Sequence, residues 1–320
     1  MAIAIVIVFS LINMTGVKKG GRLQGVLLIA KLVPIALIIV LGLAMGNMNN
    51  PMDIVPGEGL SVTTAFALSV VAALWAYDGW SSVYIVAEEL KNPKKDLPKA
   101  VIIGVGGVTL VYVLFNLAIL HVLPISEIVA TEAPASMAAQ AILGKPGAVL
   151  VTVGAMIAIL GSCNGCILAY PREFYAMARD GRFFRVFGRI NPKTGTPVFA
   201  QLGMMAVSCV LILLGTFEQL TALVAFCAWI YYVLGISSVY VFRKRKPKME
   251  RPYKVIGYPV VPALTIVLSL IVLVTTLWED PKNSAVGVIV PIAGWLIYHL
   301  YFKKHEAKNR EALAREQEKQ

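Results

Sequence analysis

Long apolar stretches alternate with short polar ones along most of this chain. Eight of these stretches are long enough to cross a bilayer as one helix, which takes about 20 mostly apolar residues. They lie near 24–46, 61–87, 100–123, 147–170, 197–217, 220–242, 258–278 and 284–302. A further stretch at 2–13 is apolar but too short to span a membrane by itself. The pattern predicts an all-α polytopic membrane protein with about nine transmembrane segments.

Composition agrees with lipid as the solvent for most of the chain. The 320 residues are 58% hydrophobic and 15% charged, whereas an average soluble domain has about 25% charged residues. The N-terminus has no basic region followed by a small-residue cleavage site, so no cleavable signal peptide is predicted.

The net charge of +11 is concentrated in one set of loops. If the chain crosses the membrane alternately, five segments fall on the same side and hold 26 of the 29 Lys and Arg residues. These segments are 17–22, 91–99, 172–193, 243–254 and 303–320. Because basic residues accumulate in cytoplasmic loops, we predict that all five segments, including the C-terminus, are cytoplasmic. This distribution accounts for the basic charge without nucleic acid as a partner.

The apolar stretch 61–87 has an interruption near its centre. Asp78-Gly79 is a strong helix breaker, and a carboxylate at that depth of the bilayer is costly. An interrupted helix would expose carbonyl groups at the end of one half and N–H groups at the start of the next, which can bind an ammonium and a carboxylate. The structural alternative is that Asp78 caps the second half-helix and Gly79 permits close packing.

Lys31 is a second charge inside an apolar stretch, and Pro34 follows it within one helical turn. Pro34 leaves the Ala30 carbonyl without its helical donor and predicts a kink beside the lysine. Lys31 either has a function within the membrane or extends its side chain to the cytoplasmic interface.

Other polar residues inside apolar stretches are weaker signals. Tyr112 and Asn164 could contact a ligand or hold helices together. Cys163 and Cys166 have CxxC spacing but no second ligand pair, which favours helix packing over metal binding. The sequence contains no metalloprotease, P-loop, nucleophile-elbow or dinucleotide motif, so we expect neither an enzyme nor a cofactor.

The interruption and the loop that follows it resemble a known family. Trp75-Ala-Tyr-Asp-Gly-Trp80, followed by Glu88-Glu-Leu-Lys-Asn-Pro-Lys-Lys-Asp-Leu-Pro-Lys-Ala100, is similar to the sixth helix and next loop of the amino acid–polyamine–organocation superfamily. The resemblance is closest to its L-type amino acid transporter and bacterial serine/threonine exchanger branches. Further matches continue in order to about Phe302.

The resemblance implies the inverted-repeat, LeuT-type transporter fold, in which twelve helices are built on two inverted five-helix repeats. This chain would be N-terminally truncated and hold the end of the fourth helix through the twelfth. A membrane transporter domain would occupy 1–302 and a charged cytoplasmic tail 303–320. In the family, the first helix supplies the N–H groups that receive the substrate carboxylate.

The same resemblance implies a function. We expect a sodium-independent exchanger or permease of small neutral L-amino acids in the cell membrane, working by alternating access. Trp75 would close over the substrate, and Lys31 would take the place of the sodium ion of coupled relatives, so no metal is expected. The expected substrate-binding residues are Trp75, Ala76, Tyr77, Asp78, Gly79, Tyr112 and Asn164.

Two alternatives stay open at this stage, namely a transport-inactive fragment of such a permease and, less favoured, a channel. The expected partners are the amino-acid substrate and the lipid bilayer. The sequence leaves an ancillary subunit undetermined, because the family's link to such a subunit lies in the absent helices.

Overall fold

The computed structural model describes residues 1–47, 61–90, 92–251, 253–279, 281–306 and 309. Within those ranges the chain is helical and forms no strand. The α-helices are α1 Ala2–Met14, α2 Val17–Met45, α3 Val62–Ala76, α4 Pro93–Val122, α5 Ile125–Ala130, α6 Pro134–Leu143, α7 Lys145–Ala169, α8 Pro171–Arg179, α9 Val198–Leu214, α10 Phe217–Arg245, α11 Val260–Glu279 and α12 Pro281–Ile297. The other described elements are the 3-10 helices Trp80–Glu89 and Arg185–Gly188 and the π-helical turn Tyr298–Phe302.

Six helices in the described ranges are long and apolar enough to cross a membrane. They correspond to six of the eight long stretches predicted from the sequence, and the prediction of an all-α polytopic membrane protein is confirmed. The stretch 197–217 forms the 17-residue helix α9. The stretch 61–87 is divided between α3 and the 3-10 helix Trp80–Glu89.

Helix α7 packs against α2 through glycines on one face. A Cβ atom at Gly154 would lie 2.3 Å from the Pro34 Cγ. A Cβ at Gly161 would lie 3.3 Å from the Leu27 Cβ, and Gly165 faces the side chain of Gln24. Because these positions have no side chain, the two backbones can approach closely along this contact.

The buried core lies where α2, α4, α6 and α7 meet. Its members are small or aliphatic, and they are Ile38, Ala118, Ile119, Leu123, Ala138, Ala139 and Val151. Two more glycines allow the approach, since a Cβ at Gly147 would lie 2.2 Å from the Ala139 carbonyl oxygen and one at Gly42 would lie 3.0 Å from the Ala118 Cβ. Small residues therefore also allow α6 to pack closely on α7 and α4 to pack closely on α2.

The proline in α2 is part of this packing. The helix runs from Val17 to Met45 with Pro34 inside it, and the proline ring is buried against Gly154. The residue that removes a hydrogen bond from α2 thus supplies the surface on which α7 rests.

The C-terminal helices form a second packing group. Helix α10 contacts α11 and α12. Phe226 of α10 is buried against Gly287 of α12, where a Cβ would lie 2.7 Å from the phenylalanine ring. The Cys227 thiol donates to the Gly287 carbonyl at 3.2 Å.

The segment after α8 is joined to the end of the last helix, in what we call the C-terminal junction. Arg182 Nε donates to Glu306 Oε1 at 2.9 Å, and the Tyr298 hydroxyl donates to Glu306 Oε2 at 3.0 Å. Hydrogen bonding and the charge of Glu306 raise the pKa of the Arg182 guanidinium. The ring of Phe183 stacks on buried Phe302, with centroids 5.8 Å apart. Of the predicted tail 303–320, residues 307, 308 and 310–320 lie outside the described ranges.

Replacing Gly154 tests the contact between α7 and α2. We expect Gly154→Ala to lower the thermal unfolding midpoint of the purified protein, because the new Cβ would overlap the ring of Pro34. Overpacking of this kind costs about 1–3 kcal/mol. The matched control is Gly106→Ala in α4, where a Cβ meets nothing within 4 Å. Equal midpoints for the two variants would contradict the packing described.

Candidate functional site

The interruption predicted at Asp78-Gly79 is present. Helix α3 ends at Ala76, the next three residues form a turn, and a 3-10 helix begins at Trp80. Gly79 has φ +93°, a conformation that residues with a Cβ rarely adopt. The Ser82 N–H donates to the Gly79 carbonyl at 3.1 Å, which starts the tighter helix.

Helix α4 holds the interruption from one side. The Tyr112 hydroxyl donates to the Ala76 carbonyl at 2.9 Å, at the end of α3. The Tyr77 hydroxyl donates to Thr109 Oγ1 at 3.0 Å, and the rings of Tyr77 and Tyr112 meet edge to face at 5.2 Å. Thr109 was not predicted from the sequence, although it lies one turn before Tyr112 on the same face of α4.

Helix α10 holds the interruption from another side. The Tyr232 hydroxyl donates to Asp78 Oδ1 at 2.6 Å and lies 3.5 Å from Ser81 Oγ. The centroid of the Tyr232 ring lies 5.8 Å from that of the Trp80 ring. A hydrogen bond to a carboxylate is roughly twice as strong as one between neutral groups. Sequence reasoning missed Tyr232, whose only signal was a hydroxyl inside an apolar stretch.

A cavity of about 280 Å³ lies between the interruption and α4. Its lining residues are Ala76, Tyr77, Asp78, Gly79, Trp80, Val83, Ala100, Val101, Gly104, Val105, Val108 and Tyr112. Asp78 is the one charged residue in this described lining, and the carbonyl end of α3 adds partial negative charge. The cavity is therefore suited to a small ligand that carries an ammonium group.

Five of the seven expected substrate-binding residues line this cavity, namely Ala76, Tyr77, Asp78, Gly79 and Tyr112. Trp75 is the penultimate residue of α3, and its side chain lies outside the described part of the structure. Asn164 is not among the residues that line the cavity.

Asn164 lies instead in a fully buried contact among α1, α2 and α7. Its Oδ1 accepts from Asn13 Nδ2 at 2.9 Å, and its Nδ2 donates to Gln24 Oε1 at 2.8 Å. Asn13 Nδ2 also donates to the Phe9 carbonyl. In this conformation the amide of Asn164 connects three helices, which is the alternative that the sequence left open.

Lys31 also lies apart from the cavity. It shares a face of α2 with Leu27 and Pro34, since these positions are spaced at one-turn intervals. Leu27 and Pro34 both contact glycines of α7, so Lys31 is on the side of α2 that meets protein. Among the described residues, it has no hydrogen bond or ion pair.

Comparison with known proteins gives a consistent set of matches. A family model described as amino acid permease matches residues 1–300. The serine/threonine exchanger SteT of Bacillus subtilis is 34% identical over 302 residues, covering 93% of this chain and 68% of that protein. The b(0,+)-type amino acid transporter 1 of Homo sapiens is 31% identical over 306 residues, covering 94% of this chain and 62% of the relative. The Homo sapiens cystine/glutamate transporter is 29% identical over 303 residues, covering 94% and 60%. The chain thus spans about three fifths to two thirds of the length of these relatives.

Replacing Gly79 tests the backbone conformation at the interruption. We expect Gly79→Ala to lower the thermal unfolding midpoint, because φ +93° strains any residue with a Cβ, at a cost of about 1–2 kcal/mol. A Cβ there meets nothing within 4 Å, so a steric clash would not explain the loss. Gly104→Ala, which also meets nothing within 4 Å but lies inside α4, is the control. An unchanged midpoint for Gly79→Ala would contradict the conformation.

Proposed function

This chain belongs to the amino acid permease family, and on that premise we propose that it transports small neutral L-amino acids across the cell membrane. We propose a sodium-independent exchanger or permease that works by alternating access. Its relatives include a serine/threonine exchanger, a cystine/glutamate transporter and a branched-chain amino acid permease. The preference for small substrates rests on the cavity of about 280 Å³, near the lower end of the usual 300–1,000 Å³ for ligand pockets.

The observation that carries the proposal is the acidic cavity at the interrupted helix. The substrate ammonium would bind the Asp78 carboxylate and the carbonyl end of α3, because both attract a cation. We propose a site here only for the amino end of the substrate, because in the family the first helix supplies the N–H groups that receive the carboxylate. Trp75 remains the predicted cover over the substrate.

The contacts around the interruption support a role for it in alternating access. The Ala76 carbonyl accepts a hydrogen bond from Tyr112 of α4, and the Asp78 carboxylate accepts one from Tyr232 of α10. A substrate that competes for the carboxylate or the carbonyl would weaken one of these bonds. Binding in the cavity would therefore change how the two halves of the broken helix are held.

Lys31 is proposed as the fixed charge that replaces a coupling ion. Intramembrane lysines are costly and are usually functional when they face protein. The position on the α7-facing side of α2 supports this role over a lysine that extends to the lipid interface. We still predict that Asn164 lies near the substrate pocket. Because its amide is buried between helices, we propose that it affects substrate binding indirectly, through the position of α7.

The proposed orientation places the five basic segments and the C-terminus in the cytoplasm. Two contacts support it, because each joins segments that the charge pattern assigns to the same side. Arg182 of segment 172–193 contacts Glu306 of 303–320. Lys94 of segment 91–99 lies 3.6 Å from Glu250 of segment 243–254. We also propose a membrane domain over 1–302 with a charged tail over 303–320.

Filling the cavity tests the proposed site. We expect Gly104→Leu to lower uptake of radiolabelled L-serine into proteoliposomes at least about tenfold, because the new side chain would occupy the cavity. Gly107→Leu is the matched control on the same helix. A Cβ at either position meets nothing within 4 Å, but Gly107 is not part of the cavity lining. Equal uptake by the two variants would contradict the site.

Alanine substitutions test the coupling residue and the substrate-binding residues. We expect Lys31→Ala to abolish uptake, and Asp78→Ala and Trp75→Ala to reduce it at least about tenfold. Lys145→Ala, in a segment predicted to be outside, is the control. Unchanged uptake in the three site variants would contradict the assignment.

The same assay separates the remaining alternatives. A folded chain of these 320 residues without uptake would favour a transport-inactive fragment. If a counter-substrate on the opposite side of the membrane never drives accumulation of the amino acid above its external concentration, the result would favour a channel.

A further inference from the structure

A second cavity, of about 500 Å³, lies between the 3-10 helix Trp80–Glu89, α4 and α10. We call it the α4–α10 cavity. Each of the three elements contributes residues one turn apart on one face. Its lining residues are Trp80, Ser81, Val83, Tyr84, Leu97, Val101, Tyr231, Tyr232, Gly235, Ile236 and Val239.

The lining of the α4–α10 cavity is almost entirely apolar. None of its described lining residues is charged. Ser81 and Tyr232 lie within hydrogen-bond distance of each other, and Tyr232 also donates to Asp78. The Tyr84 hydroxyl donates to Glu173 Oε1 at 2.9 Å. An occupant therefore gains mainly by burying apolar surface, and a zwitterion would lose more hydration than it recovers.

One end of the cavity opens towards a strongly basic region. Leu97 and Val239 line it, and one turn further along their helices are Lys94 and Arg243, on the same faces. The ranges 92–99 and 243–251 together hold nine basic and two acidic residues. The start of α4 and the end of α10 are thus both basic, one turn beyond residues that line the cavity.

Lys94 and Arg243 are oriented by other contacts. Lys94 Nζ lies 3.6 Å from Glu250 Oε1 in an exposed pair, which is weak in water. The Arg243 guanidinium carbon lies 3.6 Å from the centre of the Tyr258 ring. Stacking uses the face of a guanidinium, so its in-plane N–H groups remain suited to an oxyanion.

We propose that the α4–α10 cavity binds an acyl chain of an anionic phospholipid from the cytoplasmic leaflet, with Lys94 and Arg243 binding the headgroup phosphate. The apolar lining selects the chain, and the basic region selects the charge of the headgroup. Basic pockets between helices on the cytoplasmic side bind anionic headgroups in this way. The α4–α10 cavity adjoins the first cavity, because Trp80, Val83 and Val101 line both. Lipid binding there does not require that the chain transport anything.

Native mass spectrometry of the purified chain, with equimolar phosphatidylglycerol and phosphatidylcholine of the same acyl chains, tests the proposal. We expect the wild-type chain to retain phosphatidylglycerol in roughly tenfold preference, because two basic residues contribute. The double variant Lys94→Gln, Arg243→Gln should lose this preference. Its control, Lys303→Gln with Lys304→Gln, removes two charges elsewhere and should keep it.

A second variant tests the cavity itself. Gly235→Leu should lose the retained lipid, since a Cβ at Gly235 meets nothing within 4 Å and leucine would fill the cavity. Gly294→Leu in α12 is its control, because a Cβ there also meets nothing within 4 Å. Equal retention of the two lipids by the wild-type chain would overturn the proposal, as would a phosphatidylglycerol preference that persists in both the charge and the cavity variants.

Discussion

The close approach of α7 to α2 is the contact on which the rest of the structure depends. It exists because α7 carries glycine where α2 carries Pro34 and Leu27. In a membrane, helices associate through packing rather than through release of apolar surface from water, so small residues at the contact decide how near two backbones can come. Helix α2 in turn supports α4, through Gly42 and Ala118. The side chains of α4 that hold the interrupted helix are therefore positioned indirectly, by glycines of α7 and α2.

The interruption itself shows how a membrane protein accommodates irregular backbone. Within a bilayer, a polar group without a partner is expensive, so a broken helix persists only where neighbours bond to its free groups. Here the partners come from two different helices, Tyr112 of α4 for the Ala76 carbonyl and Tyr232 of α10 for the Asp78 carboxylate. The site is thus built from one irregular segment, with Gly79 at its turn, and two hydroxyl groups that hold it.

The sequence was sufficient for features that depend on local chemistry. Apolar length predicted the spans, and Asp78-Gly79 predicted the interruption, because a breaker acts on its own neighbours. The partners of these residues could not be predicted in the same way. Tyr232 is 154 residues from Asp78, and Asn13 is 151 residues from Asn164. Which side chains meet over such separations depends on helix packing, and one sequence does not reveal it.

The C-terminal junction between Arg182 and Glu306 offers a reference point within the protein. Stacking of Phe183 on Phe302 and the hydrogen bond from Arg182 join two chain segments that are far apart in sequence. A pair of spin labels placed on either side of this junction would show whether the two segments keep one separation while the rest of the molecule changes shape. If they do, movement of the 3-10 helix Trp80–Glu89 can be measured as a distance from this junction, with both labels inside the same molecule.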